Sequence, residues 1–265
     1  MSKRIIKKVA VLGSGVMGSR IACHFAGVGL QVLLLDIMPK YLPADAKKAE
    51  RNKIVNDALS AAVKSNPSPV YTQDVIKKIS TGNFTDNMKD IADYDWVIEV
   101  VVERLDIKQS VFTEVEKYRR PGTLITSNTS GIPIHMMTEG RSNDFKKHFC
   151  GTHFFNPPRY LRLLEIIPTP HTDPAVVDFL IHYGDLTLGK TTVLCKDTSA
   201  FIANRVGVFG MMAIMNAMEK LQLSVDEIDA LTGPVVGRPK SATFRTADVV
   251  GIDTLVKVAK GVADN

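Results

Sequence analysis

Residues 7–36, "KKVAVLGSGVMGSRIACHFAGVGLQVLLLD", decide the fold class of this chain. A short apolar strand runs into a glycine-rich turn, a segment with helical spacing follows and ends at Gly29, and a second buried strand ends at Asp36. Two buried strands joined by one helix form a βαβ unit, which requires a parallel sheet and a right-handed crossover. The stretch therefore predicts an α/β protein.

The alternation of strands and helices continues to about residue 197. "DWVIEVVVE" is a near-continuous apolar strand, a helix is predicted from about Leu105 to Lys117, and "GTLITSN" is the next strand. The segment from Ala44 to Lys64 has a helical pattern and is strongly basic at its start. This order predicts a doubly wound, Rossmann-type domain over residues 1–198.

The character of the chain changes after residue 198. Residues 201–221, "FIANRVGVFGMMAIMNAMEKL", predict a long apolar helix, and "SVDEIDALTG" predicts a second helix with a serine cap and a closing glycine. Residues 251–265 predict one more helix. We therefore expect a smaller, all-helical domain over residues 199–265.

Composition narrows the classes of partner. The 33 lysines and arginines exceed the 28 acidic residues, and the net charge of +5 favours anionic ligands. The basic residues are dispersed, so a phosphorylated small molecule is expected rather than nucleic acid. No apolar run is long enough to span a bilayer, and only eight residues precede the first strand, so we expect neither a membrane span nor a leader. Scattered Cys23, Cys150 and Cys195 predict no metal site and indicate a reducing cytoplasm.

The turn "GSGVMG" has the G-x-G-x-x-G spacing of a dinucleotide-binding site. The first glycine permits a tight turn, the second lets a pyrophosphate approach the backbone, and the third lets the helix pack closely on the strand. The pyrophosphate would then lie at the helix N-terminus, which favours an anion. The predicted cofactor-binding residues of this turn are Gly13, Gly15, Val16, Met17 and Gly18.

Asp36, at the end of the second strand, supports this interpretation. Its carboxylate is suited to bind the adenosine ribose hydroxyls and would repel a 2′-phosphate, so NAD is favoured over NADP. The alternative is a tight strand-to-helix turn that binds no ligand.

A second pattern lies in "GTHFFNPPRYLRLLEI", residues 151–166. His153 and Glu165 are equidistant from Arg159, just past a double proline. If the two apolar arms form an antiparallel hairpin, the pair are direct cross-strand neighbours. A carboxylate beside an imidazole fixes its tautomer and raises its basicity, as required of a base that takes a hydroxyl proton during hydride transfer. The alternative is a structural ion pair.

Five blocks of sequence resemble the L-3-hydroxyacyl-CoA dehydrogenases of fatty-acid β-oxidation. They are "GSGVMGSRIA", "VIEVVVERLDIKQSVF", "SNTSGI", "GTHFFNPPRYLRLLEI" and "KDTSAFIANR", in the family's order over residues 5–205. "GRPKSATFRTADVVGIDT" extends the likeness to the amino-terminal portion of long bacterial multifunctional members. The resemblance implies NAD-dependent oxidation of an L-3-hydroxyacyl-CoA to the 3-ketoacyl-CoA.

The resemblance also implies roles for particular residues. The family's base aligns with His153, and the carboxylate that orients it aligns with Glu165. Ser130 and Asn204 align with the residues that hold the substrate oxygens.

Further positions align with ligand-binding residues of the family. Glu103, Lys108, Asn156 and Ser130 would lie along the cofactor, the first three at its nicotinamide half. A basic stretch falls where the family's helical hairpin meets the CoA phosphates, although such charge runs are usually solvated faces. It contains Lys47, Lys48, Arg51 and Lys53.

Two departures from the family pattern concern the helical part. Ser199 and Ala200 replace the family's Pro-Gly, and alanine tolerates a positive φ poorly. The sequence stops at Asn265, before the family's closing helices and glycine-rich tail. We expect cofactor binding to survive this, whereas turnover and a homodimer through the helical domain depend on how much of that domain is needed. Oxidation of a free hydroxy acid, or nucleotide binding without turnover, are the alternatives.

Overall fold

A computed structural model of the protein describes residues 4–263. The described chain divides into two compact units: residues up to Thr129 together with Pro133–Asp197, and Ser130–Ile132 together with the residues from Thr198 onward. The strands are β1 Lys8–Leu12, β2 Gln31–Asp36, β3 Ile79–Asn83, β4 Trp96–Glu99, β5 Leu124–Ser127, β6 Phe149–Phe154, β7 Leu163–Pro168 and β8 Thr191–Leu194.

The first unit contains seven of the α-helices of the described chain. They are α1 Val16–Gly27, α2 Lys48–Arg51, α3 Lys53–Lys64, α4 Phe84–Asn87, α5 Leu105–Tyr118, α6 Asn143–Lys147 and α7 Pro174–Leu186. Three 3-10 helices, Gln73–Lys78, Met88–Asp93 and Ile134–Thr138, complete its connections.

The eight strands within residues 4–263 form one sheet in the order β3-β2-β1-β4-β5-β6-β7-β8. Strands β1 to β6 pair in parallel, β7 is antiparallel to β6, and β8 is parallel to β7. The strand order reverses between β1 and β4, and in such sheets ligands bind at the carboxyl ends of the strands at this point. The predicted doubly wound, Rossmann-type sheet is confirmed.

The sheet is stable because its central strands are buried on both faces. All four residues of β4 and of β5 are buried. The indole of Trp96 is fully buried and donates a hydrogen bond to Oγ1 of Thr126 at 2.9 Å, so the one polar atom of its side chain is satisfied. Phe25 of α1 packs edge-on against Trp96 with ring centroids 5.0 Å apart. These contacts fix α1, and with it the glycine turn, on the sheet.

The described part of the second unit contains helices and no strand. It contains α8 Ala203–Leu221, α9 Val225–Leu231, α10 Phe244–Val250, α11 Ile252–Ala263 and the 3-10 helix Pro234–Val236. The predicted serine cap of α9 is confirmed: Ser224 and Glu227 form a capping box. The last two residues of the predicted final helix lie outside the described residues. None of the helices within residues 4–263 combines the length and apolarity needed to cross a bilayer.

Candidate active site

The glycine turn follows β1 and opens α1. Gly13 has a φ of 107°, and a Cβ there would lie 2.5 Å from the carbonyl oxygen of Val100, so only glycine fits. A Cβ on Gly18 would lie 1.8 Å from the carbonyl oxygen of Gly13, which shows how closely α1 passes the turn.

Gly15 is different, because packing does not require a glycine at this position. A Cβ at this position would meet no heavy atom of the described chain within 4 Å. The turn borders a cavity of about 250 Å³ formed by residues of the turn, α1 and α3, among them Val16 and Arg20. The open space at Gly15 and the N-terminus of a 12-residue helix together can accommodate the pyrophosphate of a dinucleotide. Met17 belongs to the same first turn of α1.

Asp36 is held at the end of β2 by the glycine turn. The backbone N–H and the hydroxyl of Ser14 both donate to Oδ2 of Asp36, at 2.6 and 2.5 Å, and the N–H of Ile37 donates to Oδ1 at 2.7 Å. The carboxylate is therefore fixed beside the turn, as is expected of a ribose ligand. Ser14 was not singled out in the sequence, although it lies inside the glycine motif.

Glu103 and Lys108 follow β4 at the switch point of the sheet. Nζ of Lys108 lies 3.2 Å from Oε2 of Glu103 and 2.8 Å from Oε1 of Glu99. The hydroxyl of Thr129 donates to Oε1 of Glu103 at 2.5 Å. The structure thus brings the two predicted residues together, and it adds two polar partners that the sequence analysis missed.

Asn156 lies after β6 and is linked to α1. Its Oδ1 accepts a hydrogen bond of 2.7 Å from Nη1 of Arg20, which lines the cavity beside the glycine turn. A residue predicted to lie along the cofactor is therefore connected to the helix that carries the cofactor turn.

His153 and Glu165 face each other across the antiparallel β6–β7 pair, as the hairpin hypothesis predicts. Nδ1 of His153 lies 2.7 Å from Oε2 of Glu165. The side chains are only 7% and 1% exposed. Because a carboxylate cannot donate, Nδ1 carries the proton of this bond and the lone pair of the neutral ring is on Nε2. The pair is thus arranged as a base with an orienting acid.

Other histidine–carboxylate contacts differ from this pair. Nδ1 of His135 lies 2.7 Å from Oδ2 of Asp197, but the imidazole is 54% exposed and the carboxylate also accepts two backbone N–H groups. That arrangement caps the start of a 3-10 helix. Burial and position in the sheet therefore distinguish His153 from His135.

Two basic side chains, Lys190 and Arg159, form the hydrogen bonds that hold the loop between β6 and β7. Nζ of Lys190 donates to the carbonyl oxygens of Pro158 and Leu161, the latter at 2.9 Å. Nη1 of Arg159 donates to the carbonyl oxygen of Ser68 at 2.8 Å. Burial lowers the pKa of Lys190 to about 8. These contacts hold the hairpin that carries His153 and Glu165.

Ser130 and Asn204 both belong to the second unit. Nδ2 of Asn204 donates to the backbone carbonyl of Ser130 at 3.4 Å, so the structure brings these two predicted residues together. Ser130 lies three residues after the end of β5, and Asn204 lies in the first turn of α8.

The predicted basic stretch lies on α2 and the start of α3. Arg51 forms a two-point ion pair with Asp86, at 2.8 and 2.5 Å, and Lys53 pairs with Asp57 at 2.5 Å. Lys47 and Lys48 are exposed. α2 begins at Lys48, four residues later than the helical pattern indicates, and Oε2 of Glu50 caps its start by accepting a hydrogen bond of 2.8 Å from the backbone N–H of Lys47. Two of the four basic side chains of this stretch are thus paired with carboxylates of the protein.

Two unpredicted residues lie next to the predicted ones. Glu99 interrupts an apolar strand, and Ser127 ends the neighbouring strand; the hydroxyl of Ser127 donates to Oε2 of Glu99 at 2.5 Å. A charged residue inside a buried strand was the signal that could have identified this pair. Within residues 4–263 no group of His, Cys, Asp and Glu side chains could hold a metal ion.

A doubly wound sheet with a glycine turn after β1, an acid at the end of β2 and a polar cluster after β4 defines a dinucleotide-binding α/β protein. The comparison with known sequences makes this specific. The chain belongs to the 3-hydroxyacyl-CoA dehydrogenase family: residues 8–198 match its NAD binding domain and residues 201–265 match its C-terminal domain. The first unit is therefore an NAD-binding domain.

Individual relatives agree with this assignment. The chain is 48% identical to a probable 3-hydroxyacyl-CoA dehydrogenase of Bacillus subtilis, over 98% of this chain and 34% of that protein. It is 47% identical to a probable 3-hydroxyacyl-CoA dehydrogenase of Deinococcus radiodurans, over 97% of this chain and 72% of that protein. The chain thus spans about a third of the Bacillus relative.

A solved structure shows the same fold. FadB2 of M. tuberculosis superposes with a TM-score of 0.80 and 28% identity, covering 98% of this chain and 87% of that one. The likeness extends over both units of the protein.

Proposed function

We propose that the protein catalyses the reversible, NAD-dependent oxidation of an L-3-hydroxyacyl-CoA to the 3-ketoacyl-CoA in fatty-acid β-oxidation. The observation that carries the proposal is the buried His153–Glu165 pair on the β6–β7 hairpin, with 2.7 Å between Nδ1 and Oε2. It lies in the same unit as an NAD-binding turn. A base and a hydride acceptor are the two things that oxidation of a secondary alcohol needs.

The proton is handled by His153 and Glu165. Nε2 of His153 takes the proton of the 3-hydroxyl, and the Glu165 carboxylate stabilises the imidazolium that results. Bound NAD would supply the acceptor for the hydride that leaves the carbon bearing this oxygen. In the reverse direction, His153 returns its proton to the oxygen of the ketone. Ser130 and Asn204, by their family positions, hold the substrate oxygens.

The CoA part of the substrate supplies binding energy remote from the reacting carbon. Exposed Lys47 and Lys48 are the members of the basic stretch that we assign to its phosphates. Arg51 and Lys53 are poorer candidates, because each already pairs with a carboxylate.

Assembly and location extend the proposal. We assign a homodimer to the helical unit, which presents exposed apolar side chains such as Val206, Phe209 and Val249. Light scattering on the purified protein tests this assignment. A cytoplasmic location fits the cysteines, which are all described, all buried and in no disulfide.

The direct test follows loss of NADH absorbance with acetoacetyl-CoA. We expect turnover by the native protein and a fall of roughly 10²- to 10⁴-fold in His153→Ala, the usual contribution of a general acid or base. NADH affinity should stay unchanged in this variant. The matched control is His135→Ala, which removes a carboxylate-paired imidazole outside the proposed machinery.

Each outcome of this experiment separates two hypotheses. Equal activity in native protein and His153→Ala would remove His153 from catalysis. No turnover with intact NADH binding would favour a nucleotide-binding protein. Turnover of free 3-hydroxy acids in preference to the CoA thioester would favour the hydroxy-acid alternative.

A further inference from the structure

A network of polar contacts connects Ser127, Glu99, Lys108 and Glu103 at the carboxyl ends of β4 and β5. Glu99, the last residue of β4, accepts hydrogen bonds from Ser127 Oγ at 2.5 Å, from the Val101 N–H at 2.6 Å and from Lys108 Nζ at 2.8 Å. Lys108 Nζ in turn lies 3.2 Å from Oε2 of Glu103, the most exposed member of the network. One lysine is therefore shared by two carboxylates.

The ion pair between Glu99 and Lys108 is unfavourable to bury. Glu99 is 0% and Lys108 is 1% exposed. Burial raises the pKa of the Glu99 carboxyl, and this rise is opposed by the charge and hydrogen bond of Lys108. Removing such charges from water is unfavourable, and a well-packed apolar pair is often as stable as a buried ion pair. Stability alone is thus a weak reason for these two residues.

The two carboxylates differ in how firmly they are held. Glu99 has three donors from three different residues, which leaves its carboxylate a single position. The Glu103 side chain is 42% exposed and lies after the strand. Because Glu99 is immobile, it fixes Lys108 Nζ. Lys108 Nζ and the hydroxyl of Thr129, which donates to Oε1 of Glu103 at 2.5 Å, then together set where the Glu103 carboxylate lies.

We propose that Glu99 is a positioning residue for the cofactor: through Lys108 it holds the Glu103 carboxylate where the ribose hydroxyls of the nicotinamide half bind. This inference rests on the cofactor role that the proposed function gives to Glu103 and Lys108. Without Glu99, Lys108 Nζ is drawn toward Glu103 and the carbonyl oxygen of Val101, which is 3.4 Å away. The ribose then loses an acceptor that was held in place.

The test measures NADH affinity by fluorescence, without turnover. Glu99→Gln is expected to raise the Kd for NADH about tenfold. Glu99→Gln made in a Lys108→Met background is expected to cause no further change, because Glu99 acts through Lys108. A role of Glu99 that bypasses Lys108 would raise the Kd by the same factor in both backgrounds, and a role confined to folding would leave the Kd unchanged. An unchanged Kd in the single variant, or a further rise in the Lys108→Met background, would overturn the proposal.

Two further variants control for a loss of folding and for a general loss of stability. Glu99→Met combined with Lys108→Met removes both buried charges and should fold even if Glu99→Gln does not; its Kd should equal that of Lys108→Met. Asp144→Asn is the matched control, since Asp144 also accepts from a cation, Arg119, and from a backbone N–H, that of Gly122. It should lower the melting temperature and leave the NADH Kd unchanged. Because binding is read without acyl-CoA, failure of the proposed reaction would leave this result interpretable.

Discussion

Oε2 of Glu165 lies 2.7 Å from Nδ1 of His153, and the two residues are direct partners in the β6–β7 register. The contact is buried, so water does not weaken it. A neutral acceptor in place of the carboxylate would still orient the ring, but it would not stabilise the imidazolium.

Glu165→Gln should therefore lower kcat for acetoacetyl-CoA reduction by at least about tenfold, and by no more than the roughly 10²- to 10⁴-fold contribution of the base itself. NADH affinity should not change, because the side chain orients His153 and does not bind the cofactor. Steady-state kinetics and fluorescence titration measure the two quantities. A variant with unchanged kcat would show that the carboxylate is structural.

Two glycines of the cofactor turn should respond differently to alanine. At Gly15 a Cβ meets no heavy atom of the described chain within 4 Å, so Gly15→Ala should melt like the native protein. It should nevertheless weaken NADH binding, because the methyl group occupies the approach of the pyrophosphate. At Gly18 a Cβ would lie 1.8 Å from the Gly13 oxygen, so Gly18→Ala should be strongly destabilised. Melting curves and NADH titrations compare the two, and equal stability would contradict the packing argument.

Asp36 should control the choice between NAD and NADP. Its Oδ2 accepts two hydrogen bonds from Ser14, which hold the carboxylate beside the turn. Asp36→Ala should raise the Kd for NADH and reduce its preference over NADPH, because the repulsion of a 2′-phosphate is lost. Ser14→Ala retains the backbone bond and should show a smaller effect in the same direction. An unchanged affinity ratio in Asp36→Ala would remove this residue as the ribose ligand.

Features that depend on local spacing could be predicted from the sequence. The glycine turn, the acid at the end of β2 and the serine cap of α9 each lie within a short segment whose pattern determines them. The His153–Glu165 register followed from symmetry about one turn, because a hairpin fixes which residues face each other.

Features that depend on distant contacts could not be predicted. The family resemblance placed Lys108 along the cofactor, but no local pattern indicates that its Nζ is buried against Glu99, nine positions earlier in the chain. Arg20 and Asn156 are 136 positions apart and carry no shared pattern. Strand β3, "ISTGN", is too polar to resemble a buried strand. Arg51 looked available for a phosphate because its partner, Asp86, lies 35 positions further on.

Gln222 is a site where a substitution should stabilise the helical unit. It ends α8 with a φ of 55°, a left-handed conformation that strains a residue with a Cβ, and its side chain is exposed. Gln222→Gly should add about 0.5–1 kcal/mol to the free energy of unfolding of this unit, because glycine adopts this conformation without strain. Gln222→Ala is the control: it also loses the side-chain hydrogen bond to Glu219, and it should give no gain. Urea titrations followed by helical circular dichroism measure the difference.

His24 should make stability depend on pH in the acid range. Burial lowers the pKa of its imidazole from 6.5 to about 4, and the charge of Lys190 acts in the same direction. The unfolded chain therefore binds a proton between these two pH values and the folded protein does not. The contribution of neutral His24 is complete above pH 6.5 and is lost as the pH falls toward 4, with a slope of up to about 1.4 kcal/mol per pH unit.

A matched variant isolates this slope. Nε2 of His24 lies 3.1 Å from the carbonyl oxygen of Leu188, and glutamine can still donate a hydrogen bond there without titrating. Urea titrations of native protein and His24→Gln at several pH values between 7 and 4.5 should diverge, with the native protein losing stability more steeply. The carboxylates titrate in both proteins, so their contributions cancel in the difference between the two unfolding free energies. Parallel curves would show that His24 takes up its proton as readily in the folded protein as in the unfolded chain, and burial would then not be controlling its pKa.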